Sequence, residues 1–127
     1  MDIPKNYQHV MPYLILKNAA DFIPFASAVF GAKEMYKVMR DEQTIMHAEI
    51  MIGASTIMFA DATEQYEPRN AGLFVYVENA DEAYEKALNA GSFALSPMGD
   101  QTYGRSGGIR DPFGNEWWIT SPVKPIS

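Results

Sequence analysis

A chain of 127 residues, 47% hydrophobic and 13% aromatic, fits one globular domain with one core. Its 16 acidic residues against 10 basic ones give a formal charge of −6, which excludes a nucleic-acid or anionic-membrane surface, because both require a basic field. The absence of cysteine excludes disulfides, thiolate metal sites and a cysteine nucleophile, and no apolar run approaches the roughly 20 residues that span a bilayer.

The start, Met1-Asp2-Ile3-Pro4-Lys5, lacks the charged-then-apolar pattern of a signal peptide, so a cytoplasmic protein is expected. Tyr13-Leu14-Ile15-Leu16-Lys17-Asn18-Ala19-Ala20-Asp21-Phe22 then aligns without a gap against Phe74-Val75-Tyr76-Val77-Glu78-Asn79-Ala80-Asp81-Glu82-Ala83. Each copy is a short apolar strand running into an Asn that can cap a helix. Asn79 with Glu82 has capping-box spacing, and Asn18 with Asp21 is a shorter-armed relative. Each helix is expected to end at a glycine, Gly31 and Gly91, and Pro24 predicts a bend within the first.

Strand-like stretches follow each helix. In the first half they are Lys33-Arg40, Ile45-Ile52 and Ser55-Asp61, with Asp41-Glu42-Gln43 and Gly53-Ala54 as turns. Alternation sets Met46, Ala48, Ile50 and Ile52 on one face of the middle strand and His47, Glu49 and Met51 on the other. Ala62-Asn70, with Pro68, reads as a polar linker. The second half repeats the pattern with Ser92-Met98, Tyr103-Arg110 and Asn115-Thr120, this last strand bounded by Pro122. Gly99 to Gly108 matches neither a Walker loop nor a dinucleotide fingerprint; it reads as a bulged hairpin or a mobile edge where Arg105 can meet an anion.

The run Arg110-Asp111-Pro112-Phe113-Gly114-Asn115-Glu116-Trp117-Trp118-Ile119-Thr120-Ser121 carries the most specific signal. Asp111-Pro112-Phe113-Gly114 is a tight turn feeding an aromatic closing strand. This ending resembles that of the vicinal-oxygen-chelate superfamily, which holds glyoxalases, bleomycin- and fosfomycin-resistance proteins and extradiol dioxygenases, and most of all its PhnB-like branch. The resemblance covers the chain from about Val10 to Ser121. It implies an α+β fold of paired βαβββ modules forming a curved mixed sheet with a concave cleft. The expected domain is single, residues 1–127, with module one at about 8–61, a linker at about 62–70 and module two at about 71–121. A homodimer is also implied.

The superfamily's usual metal tetrad falls, by alignment of the strand-to-helix junctions, at Met11, Phe59, Gly72 and Trp118. None is a normal ligand for a hard divalent cation, so no metal and no cofactor are expected. A small-molecule ligand is expected in an aromatic cleft of Tyr13, Phe59, Phe74, Tyr76 and Trp118, with His47, Glu49, Arg105 and Glu116 as polar contacts. Val10, Leu14, Leu16, Met58, Val75, Val77, Trp117 and Ile119 are placed on the packed face. Two alternatives stay open. His47, Glu49 and Glu116 could hold a displaced metal in a lyase, isomerase or dioxygenase, or the aromatic side chains could simply fill a core or dimer interface. His9 is expected at a strand end with a surface role.

Overall fold

The computed structural model describes residues 1–123. It divides into two compact units, Met1–Asn70 and Ala71–Ser127. The first holds β1 (Tyr13–Leu16), α1 (Ala19–Phe30), β2 (Lys33–Met39), β3 (Ile45–Ile52) and β4 (Ser55–Asp61). The second holds β5 (Gly72–Tyr76), α2 (Ala80–Asn89), β6 (Phe93–Gln101), β7 (Gly104–Arg110) and β8 (Glu116–Pro122). Each unit is a βαβββ module whose strands form a mixed sheet of four, ordered β1-β4-β3-β2 and β5-β8-β7-β6. In each, the first and last strands pair in parallel and the others antiparallel.

Both helices bury positions spaced for one helical face: Ala19, Phe22, Ala26 and Val29 in α1, and Ala80, Ala83, Tyr84 and Ala87 in α2. In the first unit these meet Leu14, Leu16, Ile50, Ile57 and Phe59, all nearly inaccessible, with the Phe22 and Phe59 rings edge to face at 5.1 Å. In the second, Val75, Ile109, Trp117 and Ile119 form the corresponding buried face.

The helix starts differ from expectation. Asn79 accepts the Glu82 amide at 3.1 Å, as a cap should. Asn18 instead sits in the left-handed region at φ 57° and makes no side-chain cap. Its role passes to Asp61 at the end of β4, whose carboxylate takes the Ala19 amide at 2.9 Å and the Ile45 amide at 2.6 Å. Ser121 in β8 is the counterpart, taking the Ala80 amide at 2.7 Å. The internal repeat thus includes the joint that ties each last strand to its helix. Gly31 ends α1 at φ 69°, whereas α2 stops at Asn89, with Ala90 as its cap and Gly91 one residue beyond at φ 99°. Helix α1 runs unbroken through Pro24, and β8 runs on through Pro122, which pairs with Gly104.

The Asp111-Pro112-Phe113-Gly114 turn is wired by one buried carboxylate. Asp111 accepts the amides of Phe113 and Asn115 at 2.9 Å each, the Asn115 Nδ2 at 3.0 Å and the Trp117 indole N–H at 2.8 Å. Gly114 closes the bend at φ 94°, and Asn115 reaches on to the Ala71 amide at 3.1 Å. The motif that carries the family resemblance is therefore architectural. It locks β8 beside β5 and fixes which of the two tryptophans points inward.

Candidate functional site

In the first unit, the sheet face away from α1 carries a chain of polar side chains. Glu49 and Met58 are register partners, as are Tyr13 and Met58, so Tyr13, Glu49 and Met58 share this face. Tyr13 Oη lies 2.9 Å from His47 Nδ1, and His47 Nε2 lies 2.7 Å from Glu49 Oε2. The other Glu49 oxygen takes the Tyr7 hydroxyl at 2.7 Å. Tyr36, the register partner of Glu49, brings its ring to 6.1 Å from the imidazole.

Tyr7 reaches the site because the N-terminal segment is pinned to the start of β4. Gln8 accepts the Thr56 amide at 3.1 Å, and the Thr56 hydroxyl donates to the Asn6 carbonyl. Beneath Tyr7 lies a cavity of about 380 Å³ whose walls include Tyr7, Met35, Tyr36, Glu49 and Met51.

Burial pushes the Glu49 carboxyl upward, but the bonds from His47 and Tyr7 and the neighbouring imidazole outweigh it and hold its pKa below the ordinary value. Glu49 is thus an ionised acceptor although only 6% exposed. The Tyr7 phenol is raised, first by its bond to Glu49 and then by burial. Tyr13 is raised by burial and by the Glu49 charge. Both tyrosines stay protonated at neutral pH. The bond to an ionised Glu49 places a hydrogen on His47 Nε2, and in the tautomer that carries only that hydrogen Nδ1 accepts from Tyr13.

In the second unit, Phe74 and Trp118 are register partners on the face away from α2, 51% and 40% exposed. Trp118 lies flat over Gly108, where any Cβ would fall 2.4 Å from the indole Cζ3. Glycine at 108 is what lets the ring settle on the sheet. Phe74 contacts Tyr76 at 5.2 Å and Tyr103 at 6.1 Å between ring centroids, so this face is an exposed aromatic array. Glu116 is spoken for by Arg110 at 2.9 Å. Arg105, expected as a free anion contact, is instead forked onto Asp81 at 2.6 and 3.0 Å and reaches Asp100 at 3.1 Å. Those bonds raise its pKa further, and the adjoining cavity of about 530 Å³ is rimmed by Glu78, Asp81 and Asp100. The stretch from Gly99 to Gly108 is the β6–β7 hairpin, with its register shifts in the β6 segment from Ala94 to Gly99.

The profile of the Glyoxalase/Bleomycin resistance protein/Dioxygenase superfamily matches residues 6–119. The chain belongs to this superfamily. It is 30% identical over 128 aligned positions to an uncharacterised protein of Mycobacterium bovis, covering 91% of this chain and 84% of that one. Among solved structures it is similar to TioX from Micromonospora sp. ML1, at TM-score 0.72 and 21% identity, covering 94% of this chain and all (100%) of that one. The PhnB protein from Bacillus cereus gives TM-score 0.70 at 18% identity, covering 90% of this chain and 99% of the other. At these identities the two structures establish the shared fold.

Superfamily membership makes the tetrad positions a test of chemistry. The register corrects one of them. Met58 stands beside Tyr13 as Trp118 stands beside Phe74, so the slot on β4 is Met58, and Phe59 faces the helix, fully buried against Phe22. Phe59 is therefore not a ligand-facing residue, and Met58 is not on the packed face. Ile57, Met58, Phe59 and Ala60 are all apolar, so alternation in sequence carried no sign of this parity. Val10, also placed on the packed face, is 86% exposed. Met11, Met58, Gly72 and Trp118 supply thioethers, a bare backbone and an indole, a set that does not fit a hard divalent cation. Among the described residues no group of three or more His, Cys, Asp or Glu side chains is placed to hold a metal.

The sequence reading missed Tyr7 and Tyr36. Tyr7 lies ahead of the first strand, in a segment without periodicity, and Tyr36 lies in β2, whose mostly exposed residues show no alternation. The only legible signal was the tyrosine itself, a residue that often closes small-molecule sites.

Proposed function

We propose that this superfamily member is a small-molecule-binding protein that works without the family metal, with its ligand on the open sheet face of the first unit around Tyr13, His47 and Glu49. The buried, ionised Glu49 at the wall of a cavity carries this reading. A charge is costly to bury, and a polar chain that reaches a cavity through Glu49 and Tyr7 is the arrangement of a binding site rather than of a core. The exposed rings of Phe74, Tyr76 and Trp118 offer flat apolar surface on the second unit, suited to stacking a planar group. The protein acts in the cytoplasm as a homodimer of the PhnB-like branch.

Elemental analysis tests the metal-free part. Purified protein is expected to hold well under one equivalent of Zn, Ni, Mn or Fe, and chelator treatment is expected to leave its melting temperature unchanged. A stoichiometric metal that survives dialysis overturns it.

A further inference from the structure

The hydrogen bonds around Glu49 have a direction, and that direction selects a ligand. A phenol has one proton to give. Tyr7 spends its proton on Glu49 Oε1, and with the His47 hydrogen on Nε2 alone, facing Glu49 Oε2, Tyr13 spends its own on Nδ1. What the face still offers outward is lone pairs: two phenolic oxygens and the unused capacity of a carboxylate. A carbonyl compound or an anion would find no free proton on Tyr7, Tyr13 or Glu49 and would meet the Glu49 charge; the donors at the cavity wall are Lys5, Asn6 and the Tyr36 hydroxyl. A ligand that brings its own donors would be matched.

Charge points the same way. Glu49 is 6% exposed, and its one ion-pair partner among the described residues is His47. Among the described residues no lysine or arginine forms an ion pair with this carboxylate. Tyr7 and Tyr36 present rings to the same cavity, and Met35 and Met51 give it polarisable apolar walls. A cavity of about 380 Å³ lies within the usual range for small organic ligands.

We infer that the Glu49 cavity of the first unit binds an organic cation, a protonated amine on a compact apolar body, with the ammonium between Glu49 and the Tyr7 and Tyr36 rings. This assignment rests on the reading that the first unit's open face is a small-molecule site, and it adds the class of molecule. Lys5 also lines the cavity. It is the opposing charge, and it limits the affinity for a cation.

Three probes with one ring separate the possibilities: benzylamine, benzyl alcohol and benzoate, titrated by calorimetry into the full-length protein. Benzylamine is expected to bind at least about tenfold more tightly than benzyl alcohol, with benzoate weakest. Glu49→Gln is expected to remove that preference, and Lys5→Ala to strengthen benzylamine binding. Should Glu49→Gln fail to fold, Lys5→Ala and Tyr36→Leu, both at the cavity wall, still decide: the first must raise and the second lower benzylamine affinity relative to benzyl alcohol. Equal binding of benzylamine and benzyl alcohol, or tighter binding of benzoate, overturns the cation assignment and leaves the small-molecule site standing. Binding of none of the three removes both.

Discussion

Asp111→Ala is expected to cost about 3–5 kcal/mol of stability and to lower the melting temperature by about 10 °C or more. The carboxylate is 2% exposed and accepts four hydrogen bonds, two of them from the backbone of its own turn. Removing it leaves the Trp117 indole N–H and the Asn115 amide groups buried without their acceptor, and each such orphan costs about 1–3 kcal/mol. Asp111→Asn keeps acceptor oxygen for part of this set but sets an NH₂ against donors, so an intermediate loss is expected. Thermal unfolding followed by circular dichroism measures both. A shift of only a degree or two for Asp111→Ala would mean that the turn holds its shape through Pro112 and Gly114 alone.

The two adjacent tryptophans should behave oppositely. Trp117 is 1% exposed, packed with Ile109 and Ile119, and bonded to Asp111. Trp117→Ala opens a large cavity in the second unit's core and is expected to cost about 3–5 kcal/mol. Trp118 is 40% exposed and lies over Gly108 on the other face. Its replacement by Ala is expected to leave the fold within about 1 kcal/mol of the wild type and to weaken stacking of planar probes. Acrylamide quenching of the single remaining tryptophan in each variant gives an independent check: the Trp118 emission of Trp117→Phe should be strongly quenched and the Trp117 emission of Trp118→Phe protected. Equal destabilisation by the two alanine variants would mean that Trp118 is core.

Much of the fold was legible because the chain says it twice. The aligned strand-to-helix segments from Tyr13 and from Phe74, and the Asp111-to-Trp117 ending, were enough for two βαβββ modules and for the family. Ile45–Ile52 and Ser55–Asp61 fall where turn residues bound them. Local rules failed where tertiary bonds replaced them. Asn18 looked like a cap, yet the Ala19 amide goes to Asp61, 42 positions beyond Ala19. Parity failed at Phe59 because an all-apolar strand has no alternation to read. His47 and Glu49 were placed together by period-2 spacing, whereas Tyr7 joined them through a contact 42 residues long that no local pattern announces. Arg105 was free in sequence and bound in space, since Asp81 lies on a different element.

A small molecule is expected to bind without metal on the first unit's open face. Amide chemical-shift mapping of chelator-treated, isotope-labelled protein titrated with benzylamine tests it most directly. Saturable shifts are expected, centred on Tyr7, Tyr36, Glu49 and Met51, together with the His47 ring. Shifts confined to Glu78, Asp81 and Arg105 at the second unit's cavity, or a spectrum that stays unchanged until metal is restored, would contradict it.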